Sequence, residues 1–216
     1  MQSNATIIIA DDHPLFRGAL RQALCGPGSA ITIIEAGDFE AARKAAAAHP
    51  DADLLMLDLT MPGVSGLTGL MMIRAEYQNI PVAVISASDD PPTMRRTFEL
   101  GASAFIPKSS GLDDIRTAIS AVLSGEIWQP PGYEADREHD PDIAALISRL
   151  KTLTPQQTRV LGMVAEGLLN KQIAYELGVS EATIKAHVSA ILLKLNVDSR
   201  TQAVIQLGKI GAMPNG

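Results

Sequence analysis

The sequence predicts an α/β fold: a flavodoxin-like, doubly wound (βα)5 unit with a parallel five-stranded sheet, followed by a small all-α domain. Three observations predict it. Five short apolar runs alternate with five helix-like stretches over residues 6–124. The central runs are almost continuously apolar, as strands are when helices cover both sheet faces. Beyond residue 142 the strand-like runs stop and only helical periodicity remains.

The strand candidates are TIIIA (6–10), ITIIEA (31–36), DLLML (53–57), PVAVISA (81–87) and SAFI (103–106). Helical patterns lie between and after them at about 14–24, 38–48, 66–78, 91–100 and 111–124, with Asp38 placed to cap the second. Repeated βα units dictate parallel strands joined by right-handed crossovers. The stretch GEIWQPPGYEADREHDPD (125–142) is rich in proline, glycine and acid and reads as an exposed linker. Trp128, the only tryptophan, sits at its start and can pack on the last helix of the first domain or dock on the second. Helices are then expected at about 143–150, 155–167, 170–177, 181–195 and 199–210, with Thr154-Pro155 as a cap followed by proline in the first turn. The domains are drawn at 1–125, 126–147 and 148–216.

Composition bounds the class. A chain of 216 residues holds one or two domains, and a single cysteine, Cys25, excludes an internal disulfide. The start, MQSNATIIIADD, lacks the basic region of a signal peptide, and no run approaches the ~18 apolar residues of a membrane span. A cytoplasmic location and no membrane partner are therefore expected. The net charge of -6 is unevenly spread. Residues 149–216 hold 8 Lys and Arg against 4 Asp and Glu, whereas the preceding 148 hold 10 against 20. A basic second domain points towards a polyanion.

The polar residues at the strand ends suggest chemistry. Asp11 and Asp12 follow the first strand, Asp58 the third and Lys108 the fifth. Strand carboxyl ends meet in one crevice of such a sheet. Three carboxylates there repel one another unless a cation intervenes. Oxygen ligands suit a hard ion, and Mg2+ commonly joins carboxylates to phosphate oxygens. The set therefore reads as a Mg2+ site that handles phosphate.

In the second domain, NKQIAYELGVSEATIKAHVSAILLKL reads as a short helix, a turn at Gly178, and a longer helix capped by Ser180. Ile184, Val188, Ile191 and Leu195 form its apolar stripe. Its opposite face carries Glu181, Lys185, Ala186 and Ser189, a small-residue surface around a lysine that can approach base edges in the major groove. Asn170, Lys171, Thr183 and Lys194 are the candidates for phosphate contacts.

The segments LTPQQTRVLGMVAEGLLNKQIA and LNVDSRTQAV, flanking that pair, resemble the LuxR-type helix-turn-helix over about 150–211. IIIADDHPLFRGAL, LLMLDLTMPGVSGL, VISAS and GASAFIPKSS resemble a receiver domain. Together the halves resemble a response regulator of the NarL/FixJ class. The resemblance implies that Asp58 is the phosphoacceptor and that Asp11, Asp12, Asp58 and the Thr60 carbonyl organise Mg2+. It implies that Lys108 meets the phosphoryl oxygens, that Ser86 and Phe105 form the switch pair, and that Thr60 and Ser88 tune dephosphorylation. It makes 181–195 the recognition helix, with Lys185, Ala186 and Ser189 facing bases, and 199–210 the dimer contact. A sensor histidine kinase, double-stranded operator DNA, RNA polymerase and, once activated, a second copy of the chain are the implied partners. Masking of the recognition helix by the inactive receiver is a further family expectation.

Two departures from the family stand in the sequence. Gln157 occupies a position where the family usually has glutamate, so a neutral hydrogen bond is expected in place of an ion pair. The family's cis bond between the lysine and a following proline has no support here, because the order is Pro107-Lys108-Ser109. Two other readings use the same residues. An aspartate-nucleophile phosphatase would need a second aspartate two residues beyond the nucleophile, and that residue is Thr60. A degenerate receiver answering a ligand would lack one acid or the lysine, and this chain has the full set.

Overall fold

The computed structural model describes residues 5–25, 30–133 and 140–211. Its first domain runs β1 (Ala5–Ala10), α1 (Pro14–Leu24), β2 (Ile31–Ala36), α2 (Phe39–Ala48), β3 (Leu54–Asp58), β4 (Thr60–Met61), β5 (Val64–Ser65), α3 (Thr68–Glu76), β6 (Val82–Ser86), α4 (Pro91–Glu99), β7 (Ala104–Pro107) and α5 (Leu112–Leu123). The five long strands form one parallel sheet in the order β2-β1-β3-β6-β7. The order reverses at β1, so the crevice beyond the ends of β1 and β3 is the switch point of the sheet.

Strand residues alternate between two cores, as the two-residue period of a strand requires. Ile7, Ile9, Met56, Ala83, Ile85, Ala104 and Ile106 face α1 and α5, where Leu20, Leu24, Ile115, Ile119 and Val122 meet them. Ile8, Ala10, Leu55, Leu57, Val82, Val84 and Phe105 face the other way, among Phe39, Ala42, Leu70, Ile73 and Met94. Both faces are dry, which is why the runs read as continuously apolar.

Local chemistry sets the ends. Asp38 accepts from the Ala41 N–H and caps α2, as expected, and Asp90 does the same for α4 through Thr93. β3 is displaced by one residue from its expected span. Asp53 stays outside it and accepts from the Thr6 N–H, so Asp58 becomes the last residue of the strand. The β4–β5 hairpin was not expected; its turn uses Gly63 at φ +88°, a conformation glycine adopts without strain. Trp128 lies with the first domain: its N–H donates to the Ser103 carbonyl, it bridges to Ala104, and its ring packs on the core under α1 and α5.

The second domain contains α6 (Pro141–Leu150), α7 (Pro155–Ala165), α8 (Asn170–Leu177), α9 (Glu181–Leu195) and α10 (Arg200–Lys209). α6 begins at Pro141, with Asp140 accepting from Asp142 and Ile143, inside the segment read as linker. Thr154 and Gln157 form a reciprocal capping box at α7. Gly178 and Asn196 close α8 and α9 in left-handed conformations. No peptide bond among the described residues is cis, in line with the lack of sequence support for one at Pro107-Lys108.

The two domains share a contact. α7 lies on α3, and a Cβ added at Gly162 would sit 3.2 Å from Met72 Sδ and 3.3 Å from Thr68 Cγ2. The Leu67 N–H donates to the Gly211 carbonyl at 3.4 Å, just past the end of α10. A cleft of about 140 Å³ at this seam is lined by Met71, Arg74, Ala75, Gln78 and Leu100 on one side and Leu150, Lys151, Leu153, Pro155 and Thr158 on the other.

Candidate functional site: an acidic crevice and an exposed helix face

The acidic residues converge because their strands do. Asp11 follows β1 directly and its side chain has no solvent exposure; Asp58 ends β3, next to β1 in the sheet. Lys108 follows β7, and its N–H donates to the Ser86 carbonyl at 2.7 Å, which carries its side chain over the crevice. Its ammonium lies 2.8 Å from Asp11 Oδ2 and 2.8 Å from Asp58 Oδ2. It also stands 5.2 Å above the Phe16 ring, a cation–π distance. Burial alone would lower the Lys108 ammonium, but hydrogen bonding and the charges of Asp11 and Asp58 outweigh it and hold it above its ordinary value.

The other Asp58 oxygen, Oδ1, accepts from the Thr60 N–H and hydroxyl, both at 3.1 Å. Asp12 is half-buried beside the pair. Ligand atoms of Asp11, Asp12, Asp58 and His13 all lie within 4.8 Å of one another. One ammonium does not balance three carboxylates. Asp11 Oδ2 and Asp12 Oδ1 are both buried, and their close contacts are the Lys108 ammonium at 2.8 Å and the His13 ring at 2.6 Å. The remaining negative charge is costly to hold in so enclosed a crevice, and a divalent cation answers it. The pocket therefore fits a metal ion.

Ser86, at the end of β6, is buried and its hydroxyl accepts from the Ser88 N–H at 3.1 Å. Phe105 is fully buried on the α3–α4 side of the sheet. In this state the ring fills core space and Ser86 is held by its own loop.

In the second domain, Ser180 accepts from the Thr183 N–H and caps α9. Ile184, Ile191 and Leu195 are buried and Val188 partly so, as their spacing required. Lys185, Ala186 and Ser189 lie on the open face with Thr183 and Lys171. Lys185 is 65% exposed and pairs with Glu181, one turn back, at 3.1 Å. Among the described residues, the receiver's contacts run through α7, the α6–α7 turn and the end of α10, and the Lys185, Ala186 and Ser189 positions are exposed. Asn170, at the start of α8, is half-buried.

Lys194 requires a correction. It was expected at a phosphate, yet its ammonium donates to the Thr152 carbonyl at 2.7 Å and to Gln157 Oε1 at 2.8 Å. It pins the end of α9 to the start of α7, and both contacts would have to break before it could reach DNA. At Gln157, where a neutral hydrogen bond was expected, the partner is the charged Lys194 ammonium, so the bond is charge-assisted.

His13 escaped sequence reasoning, although it directly follows the two aspartates. So did Arg17, whose Nη1 donates to the Asp11 carbonyl at 2.7 Å and whose Nε pairs with Glu35, fixing the backbone under the crevice.

Comparison with known proteins agrees with this geometry. Residues 7–120 match the response regulator receiver domain, and residues 151–207 match the bacterial regulatory proteins of the luxR family. The glycerol metabolism activator of Pseudomonas putida is 40% identical over 210 residues, covering 94% of this chain and 95% of that protein. The nitrate/nitrite response regulator NarP of Escherichia coli K12 is 35% identical, with 92% of each chain covered. Among solved structures, RcsB of Salmonella enterica serovar Typhimurium, bound to promoter P1flhDC with the phosphomimetic BeF3-, aligns with TM-score 0.57 and 25% identity over 96% of this chain and 100% of that one. The chain belongs to the response regulators that join a receiver domain to a luxR-family DNA-binding domain. These are transcription regulators, not enzymes.

Proposed function

We propose that this chain is switched by phosphorylation of Asp58 and, once switched, binds operator DNA as a homodimer. The observation that carries the reading is the buried Asp58 carboxylate, held between the Lys108 ammonium and Thr60 within reach of Asp11 and Asp12. A carboxylate beside the Lys108 ammonium, with Thr60 rather than an acid two residues beyond it, suits one transfer and slow loss.

Asp11, Asp12, Asp58 and the Thr60 carbonyl would hold Mg2+, which when bound neutralises charge on phosphoryl oxygens. Lys108 is poised to leave Asp11 and meet those oxygens as a compact cation. Ser86 would turn its hydroxyl from the Ser88 N–H to the phosphoryl group, drawing the β6–α4 loop inward, and Phe105 would follow into the space released. A sensor histidine kinase is the donor this chemistry calls for, in the reducing cytoplasm.

On DNA, Lys185, Ala186 and Ser189 would face bases while Thr183, Asn170 and Lys171 meet phosphates. α10 presents Ile205, 57% exposed, on its outer face and would supply the two-fold contact. RcsB is described as dimers on DNA, and a symmetric dimer reads a pseudo-palindromic site. RNA polymerase is the further partner at a promoter. The domains are read as 1–125 and 148–216, joined by 126–147.

The test is to treat wild type and Asp58→Asn with acetyl phosphate and Mg2+. Intact mass, sedimentation and operator anisotropy are then compared. Wild type should gain one phosphoryl group, dimerise and bind more tightly. Equal operator binding with and without phosphorylation would overturn the switch.

A further inference from the structure

We propose that the cleft between the two domains binds a small organic carboxylate, gripped by Arg74 from the receiver and Lys151 from the DNA-binding domain. The site uses neither Asp58 nor the acids around it. Arg74 lies on α3 and is half-buried; its Nη1 donates to the Gln78 carbonyl at 3.1 Å and the Ile80 carbonyl at 3.0 Å. Those two bonds pin the guanidinium. Its Nε and Nη2 make no hydrogen bond among the described residues, and neither is sealed from solvent. No carboxylate among those residues pairs with it either. Glu76, two residues on, is committed to Arg43 at 2.8 Å. Burial holds the Arg74 guanidinium below its ordinary value, with no acid to offset it. A half-buried cation without a counter-charge is costly to keep, and an arriving anion removes that cost.

The cleft offers that anion a place for an apolar body as well as a charge. Met71 and Leu100 line it from the receiver, and Leu150 and Leu153 from the other side. Its charged lining residues are Arg74 and Lys151, both cations. Lys151 closes α6, is exposed, and forms no ion pair among the described residues. The Thr158 hydroxyl is spent on the Thr154 carbonyl at 3.2 Å, so the guanidinium and the ammonium dominate the polar side.

Size and chemistry together define the ligand class. The volume of about 140 Å³ is close to the roughly 150 Å³ of an apolar cavity that accepts benzene. A nucleotide or a peptide is too large for it. A bare inorganic anion would leave the apolar walls unfilled, whereas a guanidinium fork suits a carboxylate. Junctions between domains are where such pockets commonly form. Because the two cations belong to different domains, the occupant bridges them. It binds the joined domains more tightly than the parted ones, and so stabilises the joined form by mass action.

The experiment titrates full-length protein with sodium benzoate and sodium isovalerate by calorimetry, with benzamide and inorganic phosphate as controls. Wild type is compared with Arg74→Met and Lys151→Met, and far-UV circular dichroism confirms equal folding. At least one carboxylate should bind saturably, with benzamide and phosphate at least about tenfold weaker, since a hydrogen bond to a charged group is worth about that much. Arg74→Met should weaken binding at least about tenfold. Lys151→Met, at an exposed position that the fold does not need, should weaken it about threefold. Saturation transfer from the bound carboxylate should reach the methyl groups of Met71 and Leu153, one on each side of the seam. No saturable binding of either carboxylate up to on the order of 10 mM would overturn the site. Equal binding of benzamide or phosphate would overturn the ligand class. Binding indifferent to Lys151→Met, or transfer to Met71 alone, would overturn the bridge between the domains.

Discussion

Replacing Gln157 by glutamate should stabilise the protein, because it turns a charge-assisted hydrogen bond from Lys194 into a full ion pair without moving an atom. Gln157 is buried at the third position of α7, and its Oε1 accepts from the Lys194 ammonium at 2.8 Å and from the Thr154 N–H at 3.1 Å. Two terms favour the change. A carboxylate in the first helical turn gains about 0.3–1 kcal/mol from the helix dipole and keeps the capping box. Unit charges about 3 Å apart attract by roughly 5 kcal/mol at an effective dielectric of 20. Burying the new carboxylate costs several kcal/mol in return. Lys194 is partly exposed, so solvent screens part of the attraction. The net gain is about 1–2 kcal/mol, seen by scanning calorimetry as a Tm rise of roughly 3–6 °C for a chain of this size. The Lys194→Met background isolates the pair: there the glutamate has no counter-charge and Gln157→Glu should lower Tm. A rise of the same size in both backgrounds would assign the gain to capping alone. A fall in the wild-type background would refute the pairing argument.

Three further substitutions have defined outcomes. Lys185→Ala should leave stability within about 0.5 kcal/mol, since its exposed pair with Glu181 contributes little. The same change should weaken specific operator binding by about 1–3 kcal/mol in anisotropy titrations, and unchanged discrimination among operator variants would remove it from base reading. Gly162→Leu should drive α7 off α3, because even a Cβ there meets Met72 and Thr68; small-angle scattering should show a larger radius of gyration, and an unchanged radius would mean that the seam yields. Lys108→Ala strips the ammonium that lies between Asp11 and Asp58, and should cost about 3 kcal/mol in chelator. Saturating Mg2+ should restore more stability to that variant than it adds to wild type, as ligand binding shifts the folding balance; equal Mg2+ responses would show that Lys108 was not shielding the acids.

Much of this was legible in the chain because the informative physics is local or periodic. Both-face burial made β1, β3 and β6 continuous apolar runs, and Asp38, Thr154 and Ser180 announced helix starts by their capping chemistry. The acids were legible because a parallel sheet gathers its strand ends at one edge. What was not legible depends on three-dimensional partners. Lys194 looks like any lysine late on a DNA-facing helix until Thr152 and Gln157 are folded against it. His13 looks like a loop residue until Asp11 and Asp12 turn towards it. The docking of α7 on α3 left no periodic trace, because Gly162 reads as a weak helix residue until Met72 lies over it.

The attachment of Trp128 to β7 has a consequence for how firmly the two domains need to hold each other. With Trp128 tied to the sheet and Asp140 opening α6, only eleven residues lie between the fixed points. Even fully extended, that length spans at most about 40 Å. Each domain therefore sees the other at an effective concentration in the millimolar range. A seam far too weak to unite two separate molecules is then enough to keep this chain closed.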